Sequence, residues 1–311
     1  MSTKFLITGA TGSTGGEVAR QLLEAGAEVR AFVHRDDGRS LELRSRGAEV
    51  VIGDLRNFDA VRRAMKGIQR AYFCYPISPG IVQSTAQFAQ ASKEADVDFI
   101  VNMSQISARS DSKSEAARQH WLAERVFDWS GVPVAHIRPT FFTDWLLYLA
   151  PMIRQGVMRA PFGREARHAP ISAEDQARVI VGLLREPDSY KGKTLPLYGP
   201  VELTHPEMAA IVARVIGRPV VYEQTPMAAI GEMLGATPAP RQNTAAAMYR
   251  DPDAQGGRPD FLTQHLNEVA IDHANGLFAG LNDHVAEIGG QPPLTVEAFV
   301  EKHRRAFEDQ L

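Results

Sequence analysis

The first sixteen residues constrain the fold more than any other stretch. Lys4-Phe5-Leu6-Ile7-Thr8 is an apolar run of strand length, Gly9-Ala10-Thr11-Gly12-Ser13-Thr14-Gly15-Gly16 is a glycine-rich turn, and Val18, Leu22 and Leu23 follow at helical spacing. A strand that turns directly into a helix aims backbone N–H groups at whatever anion sits at the helix start. A Cβ at Gly9, Gly12 or Gly15 would obstruct either the turn or the approach of a dinucleotide pyrophosphate. Gly9, Thr11, Gly12, Ser13, Thr14 and Gly15 are therefore candidate cofactor-binding residues. The three-and-three spacing of the glycines is weak evidence alone, and the flanking strand and helix give it weight.

Strand-like runs recur at 28–33, 49–53, 71–75, 99–104 and 132–137, separated by helix-like runs at 16–25, 58–65, 82–95 and 114–129. This alternation predicts an α/β fold with a doubly wound parallel sheet of Rossmann type, with ligands at the carboxyl ends of the strands. The alternation lapses after about residue 150. A helix is expected near 173–184, a strand near 194–198 that can return to the sheet, and a helix opened by the capping box Thr204-His205-Pro206-Glu207. Residues 1–150 are read as the cofactor-binding domain, and 151–311 as a smaller, mainly helical region that covers the cofactor and lines the substrate pocket.

With 311 residues the chain can bury a sizeable core, and its net charge of -3 offers no basic footprint for nucleic acid. No apolar stretch approaches membrane-spanning length and no secretory leader is evident, so a reducing cytoplasm is the expected compartment. The single cysteine, Cys74, falls in an apolar run and is expected in the core.

An acid at the end of the second strand would hold a ribose 2′-hydroxyl. Here His34-Arg35 follows Val33, with Asp36 and Asp37 one step later. A guanidinium there pairs with a 2′-phosphate, so the expected cofactor is NADP(H), held partly by His34 and Arg35. Gly53-Asp54-Leu55 ends the third strand, where Asp54 can accept from an adenine amino group while Leu55 packs the ring; the alternative for Asp54 is a helix cap. Tyr75-Pro76 ends the fourth strand, where its backbone would pass beside the adenosine and nicotinamide ribose; the alternative for the Tyr75 ring is a core position.

With the glycine loop, Gly53-Asp54-Leu55 and Arg138-Pro139-Thr140-Phe141-Phe142, the chain resembles the NmrA-like atypical short-chain dehydrogenases. That group includes triphenylmethane reductase, NADPH quinone reductases, and regulators that bind NADP. The likeness covers residues 1 to about 200, and the stretch 249–280 is longer than the family pattern. Ordinary short-chain dehydrogenases carry Tyr-x-x-x-Lys, often with Glu four residues later. Aligning Glu124 with that Glu puts His120 at the Lys position and Ala116 at the Tyr position, so the tyrosine acid of alcohol–ketone chemistry is missing.

The resemblance implies catalytic roles for His120 and Ser104. His120 would hold the nicotinamide ribose or supply a proton, titrating near pH 6.5 if unperturbed. Ser104, after Met103 at the end of the fifth strand, would bond cofactor or substrate, with an amide contact from Gln105. Pro139, Thr140 and Phe142 would back the nicotinamide, while Phe141, Trp145, Tyr148 and Met152 would floor the pocket of a flat aromatic substrate. No metal site is expected. His265, Glu268, Asp272 and His273 match no zinc spacing and are read as solvated or capping, and Asp175 as a partner of its helix dipole.

Two functions follow. One is an NADPH-dependent reductase passing hydride to a conjugated small molecule (a quinone, enone, iminium ion or dye) that tolerates the missing acid. The other is a non-catalytic NADP(H) sensor whose affinity for a protein partner changes on cofactor binding. A nucleotide-sugar epimerase or lyase ranks below both, because it too would use the Tyr-Lys pair.

Overall fold

The computed structural model describes residues 3–226, 229 and 260–308. Seven strands form one parallel sheet in the order β3–β2–β1–β4–β5–β6–β8: β1 (Lys4–Thr8), β2 (Glu28–Val33), β3 (Glu49–Ile52), β4 (Arg70–Phe73), β5 (Phe99–Met103), β6 (Val134–Pro139) and β8 (Thr194–Leu197). Side chains alternate between the two faces as the pleat requires. Phe5, Ile7, Tyr72, Phe99, Val101 and Met103 join a core with α1 (Ser13–Glu24) and α7 (Ala173–Arg185). Leu6, Ala71, Phe73 and Ile100 join the opposite core under α3 (Phe58–Met65), α4 (Ile81–Glu94) and α5 (Glu115–Ser130).

Strand order reverses at β1, between β2 on one side and β4 on the other, which opens the ligand crevice at this switch point. Thr8 fastens the fork: its Oγ1 accepts from the Cys74 amide at 2.8 Å, fixing the ends of β1 and β4 relative to each other.

A third core lies outside the sheet. It joins α6 (Trp145–Ile153), β7 (Val157–Ala160), α8 (His205–Ile216), β9 (Val221–Gln224), α9 (Asp260–Ala274), α11 (Val296–Lys302) and α12 (Arg304–Phe307), with β7 and β9 forming a separate parallel pair. The short α10 (His284–Gly289) packs instead on α7. The capping box of α8 is complete, with Thr204 and Glu207 each bonding the other's amide at 3.2 and 2.8 Å.

Several boundaries differ from the sequence expectation. The first helix begins at Ser13, three residues early, because Gly15 and Gly16 are themselves helical. The sixth strand begins at Val134 and runs to Pro139, since Gly131 caps α5 in the left-handed region at φ 78°. Helix α2 (Gly38–Ser45) had no expectation at all. It has little apolar face, only Ser40 and Leu43 being buried, and is started by the capping box of Asp37 with Ser40. Among the described residues no helix is long and apolar enough to cross a membrane.

Candidate active site

The glycine loop acts through backbone geometry. Gly9 sits at φ +60°, a conformation side chains resist, and its carbonyl accepts from the Gly12 amide at 2.8 Å to close the turn. A Cβ on Gly15 would lie 2.3 Å from the Gly9 carbonyl oxygen and 2.9 Å from that of Thr8, so only glycine lets α1 start this close to β1. Gly12 caps the helix without a side-chain hydrogen bond. Ser13, Thr14 and Gly15 of the first helical turn border the crevice, where helix-start amides favour an anion.

From this loop a single cavity of about 530 Å³ runs along the carboxyl ends of β2, β3, β4, β5 and β6. Gly9, Thr11, Gly12, Ser13, Thr14 and Gly15 border one end together with His34, Arg35, Asp54 and Leu55. Tyr75, Pro76, Met103, Ser104, Gln105 and His120 border its middle, and Pro139, Thr140, Phe141, Phe142, Trp145 and Tyr148 the rest. Met152 does not border it. The side of α6 that carries Leu149, Met152 and Ile153 packs into the third core, leaving Trp145 and Tyr148 on the cavity side.

At the Arg35 end a second arginine, Arg39 of α2, joins the lining, with Nη1 3.3 Å from the Thr11 carbonyl oxygen. The neighbouring acids are turned to other duties. Asp36 accepts from Arg44 at 2.6 Å, and Asp37 accepts from the Arg39 guanidinium at 2.5 Å while also capping α2; these arginines hold both carboxyls below the usual range. Asp54 is not the cap of α3, whose first turn is capped by Asn57. The Asp54 carboxylate accepts instead from the Arg56 amide at 2.8 Å and the Arg56 guanidinium at 2.9 Å. The Tyr75 hydroxyl donates to the Pro79 carbonyl at 3.2 Å, so its ring packs into the core while the chain beside it borders the cavity.

In the middle, the Ser104 hydroxyl donates to Glu124 Oε1 at 2.6 Å, and the fully buried Glu124 receives a two-pronged pair from Arg138 at 2.8 and 2.6 Å. Ser104 therefore faces the cavity as an acceptor, its proton being committed to a carboxylate. His120 Nε2 and Gln105 Nε2 are both buried without a hydrogen-bond partner, and both residues border the cavity. Buried nitrogens left this way mark a place for a polar ligand. Burial, with the positive charge His265 would carry, pushes His120 down to about 4. It is therefore a neutral imidazole at neutral pH and not the proton source that an unperturbed histidine would be.

The wall facing the glycine loop was not legible from the sequence. Leu262, His265, Leu266 and Val269 of α9 border the cavity with Phe278, which stacks on Phe141 at 4.3 Å. Helix α9 is tied to the segment after β5 by polar contacts. His265 Nδ1 lies 2.7 Å from Ser114 Oγ, and Asp272 pairs with Arg109 at 2.6 and 2.8 Å. These residues and His273 are buried, not solvated, because each finds a partner outside its own helix. Of the long stretch 249–280, residues 249–259 lie outside the described residues.

Asp144 is a further cavity residue without a sequence signal. Its carboxylate accepts from the Ala173 amide at 2.8 Å, and burial raises it to about 6. Asp175 does more than face a helix dipole. Wholly buried, it accepts from Ser172 Oγ, the Leu294 amide and Arg178, tying α7 to the chain before α11. Cys74 borders the cavity beside Gly9, and burial raises its thiol to about 11.

The NmrA-like family model matches residues 1–275. NAD(P)H azoreductase of Xenophilus azovorans is 31% identical over 306 residues, which span 97% of this chain and 99% of the azoreductase. A (4-alkanoyl-5-oxo-2,5-dihydrofuran-3-yl)methyl phosphate reductase of Streptomyces griseus is 32% identical over 307 residues, again 97% and 99% of the two chains. Among solved structures, an Escherichia coli NADPH-dependent quinone oxidoreductase complexed with NADPH superposes with a TM-score of 0.78 at 22% identity, covering 97% of this chain and 99% of that one.

Proposed function

Because this chain belongs to the NmrA-like family, we propose that it is an NADPH-dependent reductase delivering hydride to a conjugated electrophile such as a quinone, an enone, an iminium ion or a dye. The observation that carries this reading is the pairing of an aromatic pocket with a missing acid. Phe141, Phe142, Trp145, Tyr148 and Phe278 give the cavity a flat, apolar half suited to a conjugated ring system. The face of α5 nearby offers Ala116 and a neutral His120, so it supplies a hydrogen bond but no readily transferred proton. An acceptor with its own electron sink is reduced under those conditions, whereas a simple ketone is not.

When bound, NADPH supplies the hydride. Arg35, together with Arg39 if its pair with Asp37 yields, would hold the 2′-phosphate, and the amides of the glycine loop would hold the pyrophosphate. His120 Nε2 and Gln105 Nε2 hold polar atoms at the reacting end, either of the cofactor's ribose or of the acceptor. Glu124 fixes Ser104 as an acceptor, and the aromatic wall excludes water and orients the acceptor. The curated relatives named as reductases of an azo compound and of an unsaturated lactone fit the same acceptor class.

The test mixes purified protein, NADPH and a panel of quinones, enones, iminium and azo dyes, following loss of the reduced-nicotinamide absorbance. Turnover is expected on conjugated acceptors and not on aliphatic ketones. Tight NADPH binding with turnover on none of them refutes the reductase and leaves the sensor.

A further inference from the structure

Three histidines far apart in the chain converge behind the aromatic wall. His168 lies in the segment between β7 and α7, His205 is the first residue of α8, and His273 belongs to the last turn of α9. One ring nitrogen from each lies within 4.8 Å of the other two, and all three rings are buried. His168 Nδ1 and His273 Nε2 stand 3.1 Å apart.

Hydrogen bonding inside the cluster does not satisfy it. One N–H···N contact serves His168 and His273, while His205 Nδ1 and His273 Nδ1 remain buried without any partner. The enclosure provides no relief, being aromatic: Phe162 stacks on His205 at 4.9 Å, and Phe141 presents its edge to His168 at 5.0 Å and to His273 at 5.4 Å. Tyr222, beside His205, gives its hydroxyl to the Ala160 and Phe162 carbonyls. Burial holds His205 at about 3 and His273 at about 4, with His168 also well below its ordinary value, so all three imidazoles are neutral at neutral pH. Neutral imidazole is the form that ligates metal.

The ring spacing matches a shared ion. Imidazole nitrogens bind zinc at about 2.0–2.1 Å and the ring centre lies about 1.1 Å further, so three rings pointing tetrahedrally at one ion have centres about 5.2 Å apart. The observed centre separations are 4.8, 5.1 and 5.2 Å. The rings thus already stand at the required distances. The nitrogens, within 4.8 Å of one another, must close to a spacing of about 3.3 Å in a tetrahedral set.

We propose that His168, His205 and His273 form a binding site for a single divalent transition-metal ion of the zinc type. A small cavity of about 40 Å³, bordered by His168, His205, Phe162 and Met208, lies against two of the three rings and is large enough for a water as fourth ligand. An imidazole-only set in an apolar shell favours zinc, cobalt or copper over the oxygen-seeking magnesium and calcium. The ion would pin the segment around His168, α8 and α9 together, and through Phe141 would stiffen the wall of the acceptor pocket. The site does not depend on the reductase reading.

The test uses chelator-treated full-length protein titrated with Co²⁺. Saturation at one ion per chain, with the intense visible bands of four-coordinate cobalt and their loss on adding Zn²⁺, is expected. His205→Ala and, separately, His273→Gln should each abolish the bands and weaken Zn²⁺ binding by at least 100-fold while keeping the far-ultraviolet dichroism of the wild type. Wild-type protein alone gives a second readout, because Zn²⁺ should raise its thermal unfolding midpoint. Pale six-coordinate cobalt spectra, binding unchanged in either folded variant, or no shift in the wild-type midpoint would overturn the proposal.

Discussion

Acid should unfold this protein unusually steeply, for a reason visible in its histidines. His120, His205, His265 and His273 are held at about 4, 3, 4 and 4 by burial, and His168 is lowered too. In the unfolded chain each titrates near pH 6.5. Between the folded and unfolded values, the unfolded state binds protons that the folded state refuses. Stability is therefore full above about pH 6.5 and is lost as pH falls toward 4. Each group costs about 1.4 kcal/mol per pH unit below 6.5, so the four groups held at about 3 to 4 cost about 6 kcal/mol at pH 5.5, and His168 acts in the same direction. Asp144 opposes this. Raised to about 6, it binds a proton more readily when folded and returns about 0.7 kcal/mol over the same interval. A net loss of about 5 kcal/mol or more is a large part of the ~5–15 kcal/mol that holds a typical protein folded. Urea unfolding followed by circular dichroism from pH 7.5 to 5.5, with a chelator present, measures it. The slope at pH 5.5 should correspond to uptake of at least about three protons on unfolding, and His205→Phe should remove about one. Uptake of fewer than about two protons would refute the argument.

Gly15→Ala places a methyl 2.3 Å from the Gly9 carbonyl, a backbone atom that has no rotamer to move to. Thermal melts and NADPH titration should show a loss of about 1–3 kcal/mol in stability and failure of cofactor binding, and wild-type behaviour in both would refute the loop geometry. Arg35→Ala should weaken NADPH by about 1.5–3 kcal/mol and leave NADH little changed; equal losses remove Arg35 from the 2′-phosphate. Glu124→Ala leaves the half-buried Arg138 without its carboxylate, and urea unfolding should show a cost of about 3–5 kcal/mol, with less than about 1 counting against the buried pair.

What the sequence discloses of this site depends on how local the determinants are. The glycine loop is legible because positions that reject a Cβ are written within eight residues, and the central strands because each is a short apolar run, buried on both faces of a parallel sheet. Arg39 is not, since it arrives on a polar helix started by one capping box rather than by an apolar stripe. Asp144 carries no signal because its raised proton affinity comes from burial made by distant segments, which outweighs the lowering effect of the Ala173 amide it accepts from. The histidines read most misleadingly. His265, Asp272 and His273 look like the wet side of a helix, and what buries them is Ser114, Arg109 and His168, none of which lies on that helix. Met152 fails for the converse reason: helical spacing put it on a face with Tyr148, and the packing of α6 turned it inward.

The same contrast separates the two halves of the cavity physically. The glycine-loop half is bounded by the ends of hydrogen-bonded strands, so its geometry is inherited from the sheet. The aromatic half is bounded mainly by α6 and α9, which belong to the third core and touch the sheet through side chains. Altering that wall should then change the acceptor without disturbing the cofactor. Leu266→Ala deletes an almost buried side chain from the cavity lining and is expected to alter relative kcat/KM across acceptors of different width by roughly 10-fold, the worth of one or two methylene contacts. The NADPH dissociation constant should stay within about twofold, because Leu266 lies on α9, an element separate from the glycine loop, the strand ends and the arginines of the cofactor half. A parallel loss of NADPH affinity would mean that the two halves are mechanically one, with α9 clamping the cofactor as well as the acceptor.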